Sequence, residues 1–195
     1  MATVVNRNFL VSDTTKYSMQ SRLRAAGVRV PASVPIPTEK SLDTVLEKLR
    51  LPVYIKSQKQ ASTVVRAEIV EEFYSRMSGS DSADFYVEES VDLEKFHLEK
   101  LYYVDGYIDS KNDNLTTERN LETVLKHISR LLELDVFSAD IFVGRGGHSY
   151  FCIDVNPAPA LFHSGKARAH LAVFAQHSAA MIERHTNKTL MPLAL

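Results

Sequence analysis

The sequence predicts an α+β protein built as two small lobes, each an antiparallel sheet with helices on one side. Three observations predict it. Helical and strand-like segments alternate in the first half, and antiparallel pairs with helices between them follow in the second. Two stretches have the form of hairpins, one around Asp105-Gly106 and one around "GRGG". The chain has 195 residues, of which 45% are hydrophobic, enough for one large domain or two lobes with real cores.

Each element has its own reason. Ser12 or Asp13 can cap a helix over about Thr14 to Ala26, which Gly27 ends. "VRVPASVPIP" alternates apolar residues with prolines and reads as an edge-like extended segment. "TEKSLDTVLEKLR" is amphipathic, with Leu42, Val45, Leu46 and Leu49 on one face. "LPVYIKS" is a short buried strand that ends on Lys56. A polar loop follows, and Val64 to Met77 has helical spacing. "SGSDSAD" is a turn, and "FYVEES" is a strand that becomes acidic at its end. "FHLEKLYYVDGYID" is a hairpin and "NLETVLKHISRLLEL" a helix. "VFSADIFVGRGGHSYFCIDVN" is a second hairpin. The last helix, "KARAHLAVFAQHSAAMIERH", is expected to turn Leu171, Phe174, Ala175, Ser178 and Ile182 inward.

Bulk properties narrow the function. A net charge of -1 argues against a nucleic acid or an anionic membrane held by overall charge. Cys152 is the sole cysteine, so no intramolecular disulfide forms. No apolar run approaches the roughly 18 residues of a membrane span, and "MATVVNRNFL" lacks the apolar core of a signal peptide. A cytoplasmic protein without a nucleic-acid or membrane partner is the expectation.

The chemistry concentrates in "DVFSADIFVGRGGHSYFCIDVNPAP". Strand alternation puts Asp140, Phe142 and Gly144 on one face, and Tyr150, Cys152, Asp154 and Asn156 on one face of the next strand. A turn near Arg145 to Gly147 lets Asp140 and Asp154 lie near each other across the ladder. Two carboxylates and an amide in apolar strands are costly unless compensated. All are hard oxygen donors, which suits magnesium, an ion that keeps waters and takes phosphate oxygens. The plainer reading is a turn signal at a strand end.

The segment "LELDVFSADIF…FCIDVNPAPAL" resembles the C-terminal metal-binding hairpin of the ATP-grasp superfamily. Further pieces match in order: "VVNRNFLVSDTTKYSMQSRLRAAGVRVPAS", "LPVYIKS", "FYVEESVDLEKF" and "HLEKLYYVDGYIDSK". The metal hairpin is most similar to those of ribosomal-protein glutamate ligases and inositol trisphosphate 5/6-kinases. The resemblance covers nearly the whole chain from about Val4.

It implies a nucleotide cleft between the lobes. The smaller, ATP-binding lobe would be about residues 28–90, and the larger lobe about 1–27 and 91–195. Asp140, Asp154 and Asn156 match the magnesium ligands. Lys56 matches the lysine that contacts ATP phosphates, and Lys16 adds charge. Glu88, Glu89 and Glu94, with Asp92, match the stretch that reads adenine and ribose. Lys100 and Lys111 match the basic residues offered to phosphate or substrate. The implied activity is ATP- and magnesium-dependent carboxylate–amine ligation through an acylphosphate, on a small-molecule or peptide carboxylate acceptor. Two other readings accompany it: a kinase of an inositol phosphate or similar polyol, and a nucleotide-binding or scaffold protein without turnover.

The chain departs from the family in three places. "SQKQASTVV" follows the Lys56 strand where a glycine-rich loop is usual, leaving Ser57, Lys59 and Ser62 as side-chain substitutes. Ala160 stands where a glycine often follows the asparagine and proline. The usual N-terminal domain is not seen before "VVN". The expectation is a naturally short form, a fragment, or a homo-oligomer or partner subunit that supplies the lobe. Among the histidines, His163, His170 and His177 step by seven without an accompanying acid-rich zinc pattern. Tyr102, Tyr103 and Tyr107 read as half-buried packing, and Arg145 as a solvated turn residue.

Overall fold

β-Branched and aromatic runs build two four-stranded antiparallel sheets, as their alternation requires. The computed structural model describes residues 15–36, 42–58, 64–77, 85–110, 119–146, 149–157, 172, 175–180 and 182–183. Elements in chain order are α1 (Lys16–Ala25), β1 (Ser33–Pro35), α2 (Leu42–Lys48), β2 (Val53–Ser57), β3 (Val64–Ala67) and α3 (Val70–Met77). Then come β4 (Phe85–Glu89), β5 (Phe96–Val104), β6 (Tyr107–Ser110), α4 (Arg119–Leu132), β7 (Val136–Gly144) and β8 (Tyr150–Asn156).

The first sheet has the order β1-β4-β2-β3 and the second β6-β5-β7-β8. The α+β class read from the sequence is therefore observed. Two compact units divide the chain. One comprises Asp13–Leu98 with Phe142–Asp154, and the other Met1–Ser12, Glu99–Ile141 and Val155–Leu195.

Helix α1 begins at Thr15, whose side-chain oxygen accepts a hydrogen bond from the Ser18 amide at 3.3 Å. Thr15, two or three residues later than the sequence suggests, is thus the cap; Ser12 and Asp13 lie outside the described residues. Gly27 follows the helix at φ +82°, a left-handed value that favours glycine.

Parity organises the first sheet. Ile55 pairs with Val87 and Val65, and Val34 pairs with Val87. These positions face a core of Ile36, Val45, Leu49, Val53, Ile55, Ala67, Phe73 and Val87. Val45 and Leu49 come from the apolar face expected for α2, and Phe73 comes from α3. The opposite face carries Tyr54 opposite Glu88 and Lys56 opposite Tyr86. A sheet whose other face were merely solvated would show exposed residues there, yet Tyr86 and Glu88 are buried.

Residues 64–77 are not one helix. Val64–Ala67 pairs antiparallel with β2, and the helix starts at Val70. Consecutive β-branched residues beside an available strand edge favour the ladder over the helical turn. Strand β1 sits at the edge of its sheet, as its prolines require.

In the other unit, β5 and β6 meet through a two-residue turn with Asp105 at φ 45° and Gly106 at φ 94°. Positive φ at both positions is the geometry that an Asp-Gly pair supplies. Tyr103 stacks on Phe137 with ring centroids 4.9 Å apart. Tyr102 and Tyr103 are buried rather than half-buried, while Tyr107 is half-buried as expected. Helix α4 buries Leu121, Val124, Leu125, Ile128 and Leu132, a stripe with helical spacing. Of the last predicted helix, Ile182 is 50% exposed and Ala175 is exposed, so neither is an inward position. Leu171 and Phe174 lie outside the side chains described. Among the described residues no helix is long and apolar enough to cross a membrane.

Candidate functional site

Helix α1 presents Lys16 and Gln20 one turn apart, on the same face. The Lys16 ammonium lies 3.3 Å from Asp154 Oδ2. The Gln20 amide nitrogen donates to Glu88 Oε2, and to the Ile153 carbonyl at 3.0 Å. Glu88 Oε1 accepts from the Lys56 ammonium. Both carboxylate oxygens of Glu88 are thus occupied, one by a cation and one by a neutral amide.

Strand register explains the Lys56–Glu88 pair. Tyr54 stands opposite Glu88, and Lys56 stands opposite Tyr86. Lys56 and Glu88 are therefore diagonal neighbours on one face, within reach of long side chains. Glu88 is only 2% exposed. The carboxylate is therefore buried and depends on its partners.

Tyr86, on the same face, feels this surrounding charge. Burial is the main cause that holds its phenol far above the ordinary value, with the Glu88 and Asp154 carboxylates adding to the effect. Its ring also lies 5.9 Å from that of Tyr17. Neither Gln20 nor Tyr86 stands out in the sequence reading. The available signal is a glutamine between Met19 and Leu23, on the buried face of α1.

The remaining acidic candidates in this unit differ in kind. Glu89 accepts from the Arg50 amide at 3.1 Å. Asp92 and Glu94 are exposed. Asp92 pairs with Lys95 at 2.8 Å and accepts from the Glu94 amide at 2.9 Å. The Lys95 hydrogen bond comes first among the causes that lower the Asp92 carboxyl below its usual range.

In the other unit, the Lys100 ammonium lies 3.1 Å from Asp140 Oδ1. Asn156, on β8, is half-buried. His177 packs its ring against Tyr107, with centroids 5.2 Å apart. Lys111, His163 and His170 lie outside the described residues, as do Lys59, Ser62 and Ala160. Cys152, in the first unit, is a buried thiol outside any disulfide. Arg145 is exposed, as a turn residue should be. Among the described residues, no three His, Cys, Asp or Glu side chains gather into a metal cage.

The fold is that of the ATP-grasp ligases. Among solved structures, the ATP-grasp ligase PsnB complexed with a phosphomimetic variant of its minimal precursor, Mg and ADP matches with a TM-score of 0.67. The identity is 14%, over 90% of this chain and 62% of that one. The macrocyclase MdnC from Microcystis aeruginosa MRC, bound with the precursor peptide MdnA, matches with a TM-score of 0.60. There the identity is 13%, over 75% of this chain and 52% of that one. The ADP complex of purK, an N5-carboxyaminoimidazole ribonucleotide synthetase, matches with a TM-score of 0.59, 16% identity, and 81% and 48% coverage. The chain spans less than two thirds of the length of each. No family model matches the sequence, and no curated protein matches it.

Proposed function

We propose that the chain is the nucleotide-binding part of an ATP- and magnesium-dependent carboxylate–amine ligase. The observation that carries the reading is the polar face of the first sheet. An ATP-grasp fold buries Glu88 and Lys56 there as a partnered pair, and α1 brings Lys16 to Asp154. Within the reading, about 28–90 form the smaller ATP-binding lobe.

The donor set fits magnesium. Asp140, Asp154 and Asn156 offer hard oxygens, and the ion needs few protein ligands because water and phosphate complete its shell. Asp154 and Asp140 are each neutralised by an ammonium, so both carboxylates already sit where a cation is favoured. When bound, the ion would supply charge neutralisation at the phosphates.

The chain's own residues do the rest. Lys56 and Lys16 balance phosphate charge, and Glu88 holds Lys56 in orientation. Glu89, Asp92 and Glu94 would supply the acceptors for adenine and ribose, since Glu88 is taken up by Lys56 and Gln20. Lys100, with Lys111 on the strength of the sequence resemblance, would serve the phosphate or the acceptor. The acceptor carboxylate takes the γ-phosphoryl group and ADP leaves. An amine then attacks the acylphosphate, loses a proton, and expels phosphate to leave an amide. Such chemistry rests on positioning and charge neutralisation. The precursor peptides named for PsnB and MdnC support a peptide as the acceptor class.

The test is thermal unfolding of the wild type and Asp154→Ala with and without Mg-ATP. Ligand at about a hundred times its dissociation constant adds roughly 2.7 kcal/mol. A magnesium-dependent rise in Tm that the variant loses supports the site. No rise in the wild type at millimolar Mg-ATP rejects it and favours a scaffold role.

A further inference from the structure

We infer that Gln20 is a positioning residue for the nucleotide pocket: its amide nitrogen holds Glu88 so that Glu88 in turn aims Lys56. The inference rests on the proposed ATP site and adds a residue to it.

The role follows from what the Glu88 carboxylate needs. Glu88 is buried, and its Oε1 is taken by Lys56. Its Oε2 needs a donor, because a buried carboxylate oxygen left bare is costly. Gln20 provides that donor without adding charge. A lysine or arginine at position 20 would place a second cation on Glu88 and weaken its hold on Lys56. A leucine would leave Oε2 bare.

The rest of the glutamine is built around this one bond. Gln20 is 3% exposed, and its nitrogen also donates to the Ile153 carbonyl. With two acceptors facing it, the amide orientation is fixed, since the reverse orientation would set oxygen against oxygen. The cost is visible: among the described residues, the buried Gln20 Oε1 has no hydrogen-bond partner. A buried polar group held at that cost calls for an explanation, and its bond to Glu88 supplies one. The same two bonds tie α1 to β4 and β8, so the Lys56 direction is set by the seating of α1.

The experiment is a double-mutant cycle on the 195-residue chain, read by calorimetric titration with Mg-ATP. The variants are Gln20→Met, Glu88→Gln and both together, with Lys56→Met alongside. Gln20→Met is expected to weaken binding about tenfold, the scale of a hydrogen bond to a charged group. In the Glu88→Gln background the same change should cost less than about twofold, because coupled residues are not additive.

A residue that only supports the fold gives a different result: Tm falls, while the folded protein binds Mg-ATP as the wild type does. That result, or losses that multiply across the cycle, overturns the inference. Gln20→Asn, which keeps the amide but shortens its reach, serves if the methionine variant does not fold. If the wild type does not bind, or binding is indifferent to both Glu88→Gln and Lys56→Met, the ATP site itself is rejected and the inference falls with it. If those two variants weaken binding and Gln20→Met does not, the inference alone fails.

Discussion

Lys16 Nζ lies 3.3 Å from Asp154 Oδ2, so an acid proposed to hold magnesium is already paired with a lysine from helix α1. Lys100 stands in the same relation to Asp140, at 3.1 Å. In both cases the ammonium occupies the position of a counter-ion. On the proposed reading, a metal taking the carboxylate would compete with it, and the displaced lysine would become available to phosphate.

The first prediction follows from that competition. Lys16→Met should raise affinity for Mn²⁺ in the absence of nucleotide by roughly tenfold, about 1.4 kcal/mol, and should weaken Mg-ATP. Free Mn²⁺ is read by its electron paramagnetic resonance signal during titration. Unchanged or weaker Mn²⁺ binding in the variant would show that Lys16 does not compete for Asp154.

A second prediction concerns the buried pair. Lys56→Met strands the Glu88 carboxylate, which is 2% exposed. Removing one partner of a buried pair costs about 3–5 kcal/mol. For a chain of this size that lowers Tm by about 10 °C. Adding Glu88→Gln should recover most of the loss, since no charge is then left unpaired. Thermal unfolding of the single and double variants measures both. A Lys56→Met protein as stable as the wild type would mean that water reaches Glu88.

A third prediction uses pH. Burial, with Glu88 and Asp154 nearby, holds the Tyr86 phenol above the ordinary 10.0. In the unfolded chain the phenol ionises near pH 10, while in the folded protein it stays protonated. The folded state then binds the extra proton, and stability falls as pH rises past 10. Below that pH the contribution is fully present. The stability difference between wild type and Tyr86→Phe should therefore shift against the wild type between about pH 10 and 11. Denaturant unfolding at a series of pH values measures it, and a constant difference would count against the assignment.

Much of the fold was readable because each element announced itself locally. Asp105-Gly106 named its turn, and the spacing of Leu121, Val124, Leu125, Ile128 and Leu132 named its helix. The failures were tertiary. Val64 to Met77 looked continuous because helical spacing carries no record of the strand edge beside it. Ile182 looked inward because periodicity shows a face but not what covers it. At the candidate site, Lys56 and Glu88 were found separately, by resemblance. Their pairing depends on the register of β2 against β4, and nothing in either segment states that register. Gln20 was missed because its role exists only when α1 is seated against β4 and β8.

Strand β4 also limits how this sequence can change in length. Its alternate residues serve opposite requirements: Val87 enters the core, while Tyr86 and Glu88 face the polar side. Adding or deleting one residue inside the strand would exchange the two sets. A carboxylate would then point at Phe73 and Val45, and a valine would stand where Lys56 needs its acid. Stability and chemistry would be lost in the same step, with no intermediate variant that keeps one of them. Point substitutions can drift through this segment one face at a time, but insertions and deletions cannot.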